Sequence, residues 1–160
     1  MSRFSIKTCA LLFVAAITLH NIEEALFLPS WANPVGLDIS SSEFTFAVVV
    51  LTVLAYVSAC LAIRDGRRGR WAYFYTGYAL AMFLNVFFPH LLTSILVQEY
   101  APGTGTALLL VLPTSSLVLY TSITGGFVDR AKFYVAGPIV VLGMMLSVPL
   151  LFALWRAVTS

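Results

Sequence analysis

A chain of 160 residues that is 60% apolar and 10% charged, with a mean hydropathy of +0.94, falls outside the ~45–50% apolar and ~25% charged usage of soluble domains. The net charge of +2 gives no ground for a nucleic-acid partner, and two cysteines in apolar runs, Cys9 and Cys60, argue against a disulfide framework. At ~20 residues per crossing, five helices consume nearly the whole chain, so residues 1–160 read as one all-α, polytopic membrane domain.

The first span is expected over about residues 4–28, ending at Pro29. Arg3 and Lys7 ahead of an apolar stretch mimic a signal peptide. No A-x-A-like cleavage site follows, so the helix reads as uncleaved. Residues 30–42 hold Asn33-Pro34, Gly36 and Asp38, which is turn chemistry. Ser40-Ser41-Ser42-Glu43 has the form of a capping box, with Ser40 as N-cap and Glu43 at the third helical position. It opens a second span over 43–63, in which Ala55-x-x-x-Ala59 could seat a close helix contact and leaves a homo-oligomer open. Arg64-Asp65-Gly66-Arg67-Arg68-Gly69-Arg70 then carries four of the nine basic residues. The third span covers 71–97, the fourth 106–124 and the fifth 133–155. Pro89 in the third is expected to free the Asn85 carbonyl and kink the helix. Thr114, Ser115 and Ser116 are expected to re-satisfy the backbone around Pro113 in the fourth.

Basic residues give the orientation. Arg3, Lys7, the four-arginine loop, Arg130 and Lys132 all face the cytoplasm if the N-terminus is inside, which predicts N-in and C-out with Arg156 as the exception. Trp31, Tyr100 and Trp155 then fall at the outer interface and Trp71, Tyr73 and Tyr134 at the inner one, as expected of a cell (inner) membrane protein.

Ionisable side chains at membrane depth cost several kcal/mol (~2.5–3.5 each on insertion scales) and mark function. His20-Asn21-Ile22-Glu23-Glu24 continues the first apolar run, and on a helix His20 lies over Glu24 and beside Glu23. His20 lies ~12 Å and His90 ~10 Å below the outer ends of their spans at ~1.5 Å per residue, so both histidines sit at one depth in the outer half of the bilayer. His20, Glu23, Glu24 and His90 are therefore the candidate catalytic residues, with Glu24 the first choice for the interior. Asn85, Phe87 and Tyr100 are candidate substrate contacts in an aromatic-walled pocket. Asn85 fits structural glue between helices equally well. Tyr100-Ala101-Pro102-Gly103 has the composition of a type II turn, and Tyr100 could also cover the pocket.

His20-Asn21-Ile22-Glu23-Glu24, the later His90 and Tyr100-Ala101-Pro102-Gly103 together resemble the HXXEE domain family, in the right order over most of the chain. The resemblance implies a membrane-bound protein with its site at these residues and assigns no reaction. A looser architectural likeness is to sterol isomerases of the emopamil-binding type, which are five-span proteins with His and Glu in a lipid-accessible cavity.

Three functions fit these residues. The first is a metal-free enzyme, without cofactor, using His/Glu acid–base chemistry to isomerise or cyclise a terpenoid- or sterol-like molecule. The second is a metal enzyme in which His20, Glu23, Glu24 and His90 supply ligands to zinc or iron. The third is a non-catalytic lipid- or ligand-binding protein, or a transporter. In each, the partners are a lipophilic small molecule and membrane lipid.

Overall fold

An apolar run offers its backbone no side-chain partners, so its N–H and C=O groups bond to one another as helix. The computed structural model describes residues 5–32 and 39–159. Among them are five helices long and apolar enough to cross a membrane: α1 (Ile6–Ala32), α2 (Ser41–Asp65), α3 (Arg70–Val97), α4 (Thr104–Thr124) and α5 (Arg130–Thr159). The architecture is all-α, with no strand among the described residues.

Several helices run beyond the bounds read from the sequence, α2 to Asp65 and α5 over Arg130–Thr159 in place of 133–155, and two local features differ in kind. α1 does not stop at Pro29 but runs through it to Ala32, with Pro29 buried and the Ser30 hydroxyl donating to the Phe27 carbonyl at 2.9 Å. Neighbouring hydroxyls of this kind let an apolar helix carry a proline without ending. The turn residues Asn33-Pro34, Gly36 and Asp38 lie outside the described residues. At α2, Ser40 caps as expected by accepting the Glu43 N–H at 3.3 Å. The Glu43 carboxylate does not complete the box. It is buried and held bidentately by Arg156 of α5, at 2.7 Å from Nε and 3.2 Å from Nη2. Arg156, the exception to the charge rule, thus has a carboxylate partner.

α3 breaks where Pro89 predicts. Phe88 has φ −134° and ψ 115°, the extended conformation favoured before proline, and Val86–Leu91 widens into a π-turn. The Phe88–Pro89 peptide is cis. α4 starts with a similar widening at Ala107–Val111. Beyond it, Thr114, Ser115 and Ser116 bond back to the carbonyls of Leu110, Val111 and Leu112 at 2.6–2.7 Å.

α1 packs between α2 and α4, and α3 touches α2, α4 and α5. Phe13 of α1 fills the centre, edge-on to Tyr75 and Tyr78 of α3 at 5.9 and 6.1 Å. Ala55 and Ala59 are buried in this chain's own core rather than offered outward. Short polar ties close the seams: Asn21 donates to Thr52 at 2.7 Å and Tyr78 to the Leu51 carbonyl at 3.0 Å. At the end bearing the four-arginine loop, Arg67 reaches the Gly125 carbonyl at 2.9 Å, and the Arg68 N–H donates to the Phe127 carbonyl at 2.8 Å.

α5 meets α3 at a glycine. A Cβ on Gly77 would stand 2.6 Å from Val140 Cβ, a branch point that cannot swing aside, whereas Gly143 of α5 has open space around it. Gly77→Ala is expected to lower stability by ~1–3 kcal/mol through overpacking. Gly143→Ala should leave it unchanged or raised. Thermal unfolding in detergent compares the two, and equal midpoints would contradict this packing.

Candidate functional site

Helical spacing stacks Glu24 one turn above His20 on α1. The widened turn in α3 brings His90 to the same place. The two imidazole rings meet edge to face with centroids 4.8 Å apart and planes at 81°. The Glu24 carboxylate serves both: Oε2 is 3.6 Å from His20 Nε2 and Oε1 is 3.3 Å from His90 Nε2. His20 is 0% and His90 3% exposed, and neither Nε2 atom has a hydrogen-bond partner among the described residues.

The loop from α3 to α4 forms the roof. The Thr104 N–H donates to the Ala101 carbonyl at 3.1 Å, and Gly103 has φ +90° and ψ −22°, so Ala101-Pro102-Gly103-Thr104 is the type II turn expected of Pro followed by Gly. Ser94 fastens it to α3 by accepting the Ala101 N–H at 3.2 Å and pairing with the Thr104 hydroxyl at 2.9 Å. Gly103 is needed twice here. Its φ suits glycine, and a Cβ would stand 2.7 Å from His90 Cε1 and 3.0 Å from Glu24 Cγ.

Glu23, turned away from Glu24 by the helix, has its own partners. Its carboxylate accepts from the Tyr100 hydroxyl at 2.5 Å and from the Thr106 hydroxyl at 2.6 Å. Thr106 is also 3.0 Å from His20 Nδ1, so Glu23 reaches His20 through one hydroxyl. The bond to the Glu23 carboxylate, with some burial, pushes the Tyr100 phenol above its ordinary value, which keeps it a donor.

Beside the triangle of His20, Glu24 and His90 lies a cavity of about 330 Å³. Asn21, Glu24, Asn85 and His90 form much of its polar edge. Leu51, Tyr78, Met82 and Met144 are among its apolar walls, and among the described residues no Lys or Arg lines it. Of the candidate contacts, Asn85 is on the cavity wall. Tyr100 is 60% exposed and stands over Glu23. Phe87 is 43% exposed, packs on Phe83 at 5.4 Å and does not line the cavity. Ser94 shares a helical stripe with Phe83, Phe87 and His90 in the sequence, whereas Thr106 and Asn21 carry no assigned role there. Hydroxyls at helix starts and amides in apolar helices are ordinary, and only the fold shows what they touch.

The HXXEE element, the second histidine and the turn thus converge on one spot. Residues 11–118 match the model of the family described as "Protein of unknown function with HXXEE motif". The chain belongs to this HXXEE family. It is also similar to "Uncharacterized protein YrkK" of Bacillus subtilis (strain 168), with 37% identity over 145 residues covering 88% of this chain and 90% of that protein. No solved structure matches. The family-model match takes in His20, Glu23, Glu24, His90, Tyr100 and Thr106, so every member of the triangle and of the Tyr100–Glu23–Thr106 chain of this HXXEE protein lies inside it.

Gly103→Ala is expected to cost ~1–2 kcal/mol for the left-handed backbone, plus the displacement of His90 and Glu24. Gly126, with φ +67° and open space around it, isolates the backbone part. Thermal unfolding of Gly103→Ala and Gly126→Ala should show the larger loss at 103. Equal losses would mean that the roof does not press on the triangle.

Proposed function

We propose that this HXXEE protein is an integral-membrane enzyme that moves protons to and from a neutral lipophilic substrate at His20, Glu24 and His90. The observation that carries this reading is the apolar cavity whose polar edge includes Glu24 and His90. A lipophilic molecule fills such a space with its polar or unsaturated atom against the carboxylate and imidazole. With no Lys or Arg among the described residues of the wall, an anionic headgroup would find no counter-charge there, which favours an alcohol, alkene or epoxide over a phosphate. Isomerisation or cyclisation of a terpenoid- or sterol-like molecule asks for one proton delivered, one removed and water kept out. Asn85 would contact the substrate, and Tyr100 would hold Glu23 and cover the site.

The setting is a five-span bundle with N-in, C-out topology in the cell (inner) membrane, the site lying in the outer-leaflet half. Outward-facing Leu11, Leu26, Leu96, Leu109, Leu146 and Val158 support lipid around the helices. The basic residues Lys7, Arg64, Arg67, Arg68, Arg70, Arg130 and Lys132 fall at the starts of α1, α3 and α5, in the last turn of α2, or between α2 and α3. Met145, 58% exposed on α5, also lines the cavity and marks a lateral way in from lipid.

Proteoliposomes offered a panel of isoprenoid and sterol-like alcohols, alkenes and epoxides test the reaction. His20→Ala, Glu24→Gln and His90→Ala should each lower turnover by ~10²–10⁴-fold with expression intact. If all three match the parent, the assignment fails. Terminal reporter fusions test the topology: signal from a C-terminal fusion confined to the cytoplasm would overturn C-out.

A further inference from the structure

Two buried imidazole nitrogens aimed at one partly buried carboxylate, and without a hydrogen-bond partner among the described residues, are costly. A buried polar atom left unpaired loses its water with nothing in return, and among the described residues His20 Nε2 and His90 Nε2 are both in that state. The surrounding hydrogen bonds decide what His20 Nε2 carries. Thr106 has a single hydroxyl proton, which goes to Glu23 Oε2 at 2.6 Å. Its oxygen therefore accepts from His20 at 3.0 Å, and the His20 proton sits on Nδ1. Nε2 of a neutral His20 then presents a lone pair to a Glu24 oxygen 3.6 Å away. A proton on the Glu24 carboxyl could serve one of the two rings at a time. A cation in the middle serves both rings and the carboxylate together.

The spacing suits one. Ligand atoms held at ~2.0–2.2 Å from a tetrahedral zinc ion stand ~3.3–3.6 Å apart. His90 Nε2 stands 3.3 Å from Oε1 and His20 Nε2 3.6 Å from Oε2, one oxygen each, and one ligand atom from each of the three residues lies within 4.8 Å of the others, so an ion would draw the group together. Two histidines and a glutamate with one position open is a ligand set of catalytic zinc. Ligating histidines usually give their other N–H to an acceptor that fixes the ring, as His20 does to Thr106, itself bonded to Glu23.

We propose that His20, Glu24 and His90 bind one divalent transition-metal ion, zinc in the first instance, and that Glu23 acts through Thr106 as a positioning residue for His20. The proposal rests on the site and substrate of the enzyme reading and replaces its proton step: side chains that hold an ion cannot also give and take the proton, which would then pass through what the ion binds. Glu24 and His90 line the cavity, so an ion held by them would border the substrate space. There the ion would supply a coordinated water acidic enough to give up a proton near neutrality, or polarise a substrate oxygen directly.

The test uses full-length protein in detergent, stripped with a chelator and titrated with Zn²⁺, and with Co²⁺ as a spectroscopic probe. One Zn²⁺ per chain and the visible bands of four-coordinate Co²⁺ are expected. His20→Ala, Glu24→Gln and His90→Ala should each abolish saturable binding while size-exclusion profile and helical content match the parent. Should one of these misfold, Thr106→Val carries the question. It leaves all three ligands in place and should weaken Zn²⁺ binding by ~10–100-fold, with Thr106→Ser restoring it. Parent-like affinity in both Thr106→Val and Glu23→Gln would overturn the positioning role.

A folded, stripped parent that takes up no stoichiometric Zn²⁺ or Co²⁺, or alanine variants that still do, would overturn the metal site. Iron held tightly by protein as isolated, in place of zinc, would overturn the choice of ion and uphold the site. Conversion of a lipophile that survives chelation overturns the ion and leaves the acid–base reading standing. Stoichiometric ion in a protein that converts no lipophile upholds the ion and overturns the enzyme reading.

Discussion

The Glu24 carboxylate between His20 and His90 is the constraint that explains the rest of this end of the molecule. A carboxylate placed among apolar helices is tolerated only beside groups that offset its loss of water. α1 alone cannot do this, because one turn of helix brings His20 to only one of the two oxygens. His90 must come from α3. The wider turn and extended Phe88 before Pro89 belong to the segment that delivers it. The turn behind Gly103 then closes over both, at a distance only a glycine permits.

A second group of contacts keeps this arrangement in register. Tyr100 and Thr106 share the Glu23 carboxylate, tying the roof and the first turn of α4 to α1. Ser94 and Thr104 tie the same roof to α3. Two adjacent glutamates on one helix therefore do different things. Glu24 faces the second histidine, and Glu23 fixes the loop and, through Thr106, the ring of the first. The ~100° between neighbouring helical positions is what makes that division available.

Elsewhere the same economy of polar groups governs. Glu43 is buried at the start of α2, where its backbone N–H is capped by Ser40 and its carboxylate is matched by Arg156. Asn21 spends its amide on Thr52 and Val48 of α2, and Tyr78 its hydroxyl on Leu51. These ties cross helix seams that are otherwise filled by alanines and by Phe13 among its two tyrosines. In such surroundings each interhelical hydrogen bond contributes modestly, ~0.6 kcal/mol on average. Their value is to fix which faces meet.

The all-α class, the number of helices, the Ser40 cap, the break before Pro89 and the type II turn at Ala101–Thr104 were all legible in the residues themselves. Each depends on local chemistry: apolar length, a missing N–H, or a glycine able to take positive φ. The pairing of His20 with Glu24 was legible too, since helical periodicity alone sets it. Other features were beyond reach because they depend on partners distant in the chain. Nothing near Thr106 says that it links Glu23 to His20, nothing near Glu43 says that its charge is met 113 residues later, and nothing near Phe87 says that it turns from the cavity while Asn85 borders it. Sequence determined which helices form and which residues are costly to bury. Only the tertiary packing decided which of them share that cost, because a buried polar group is satisfied by whatever stands beside it in space.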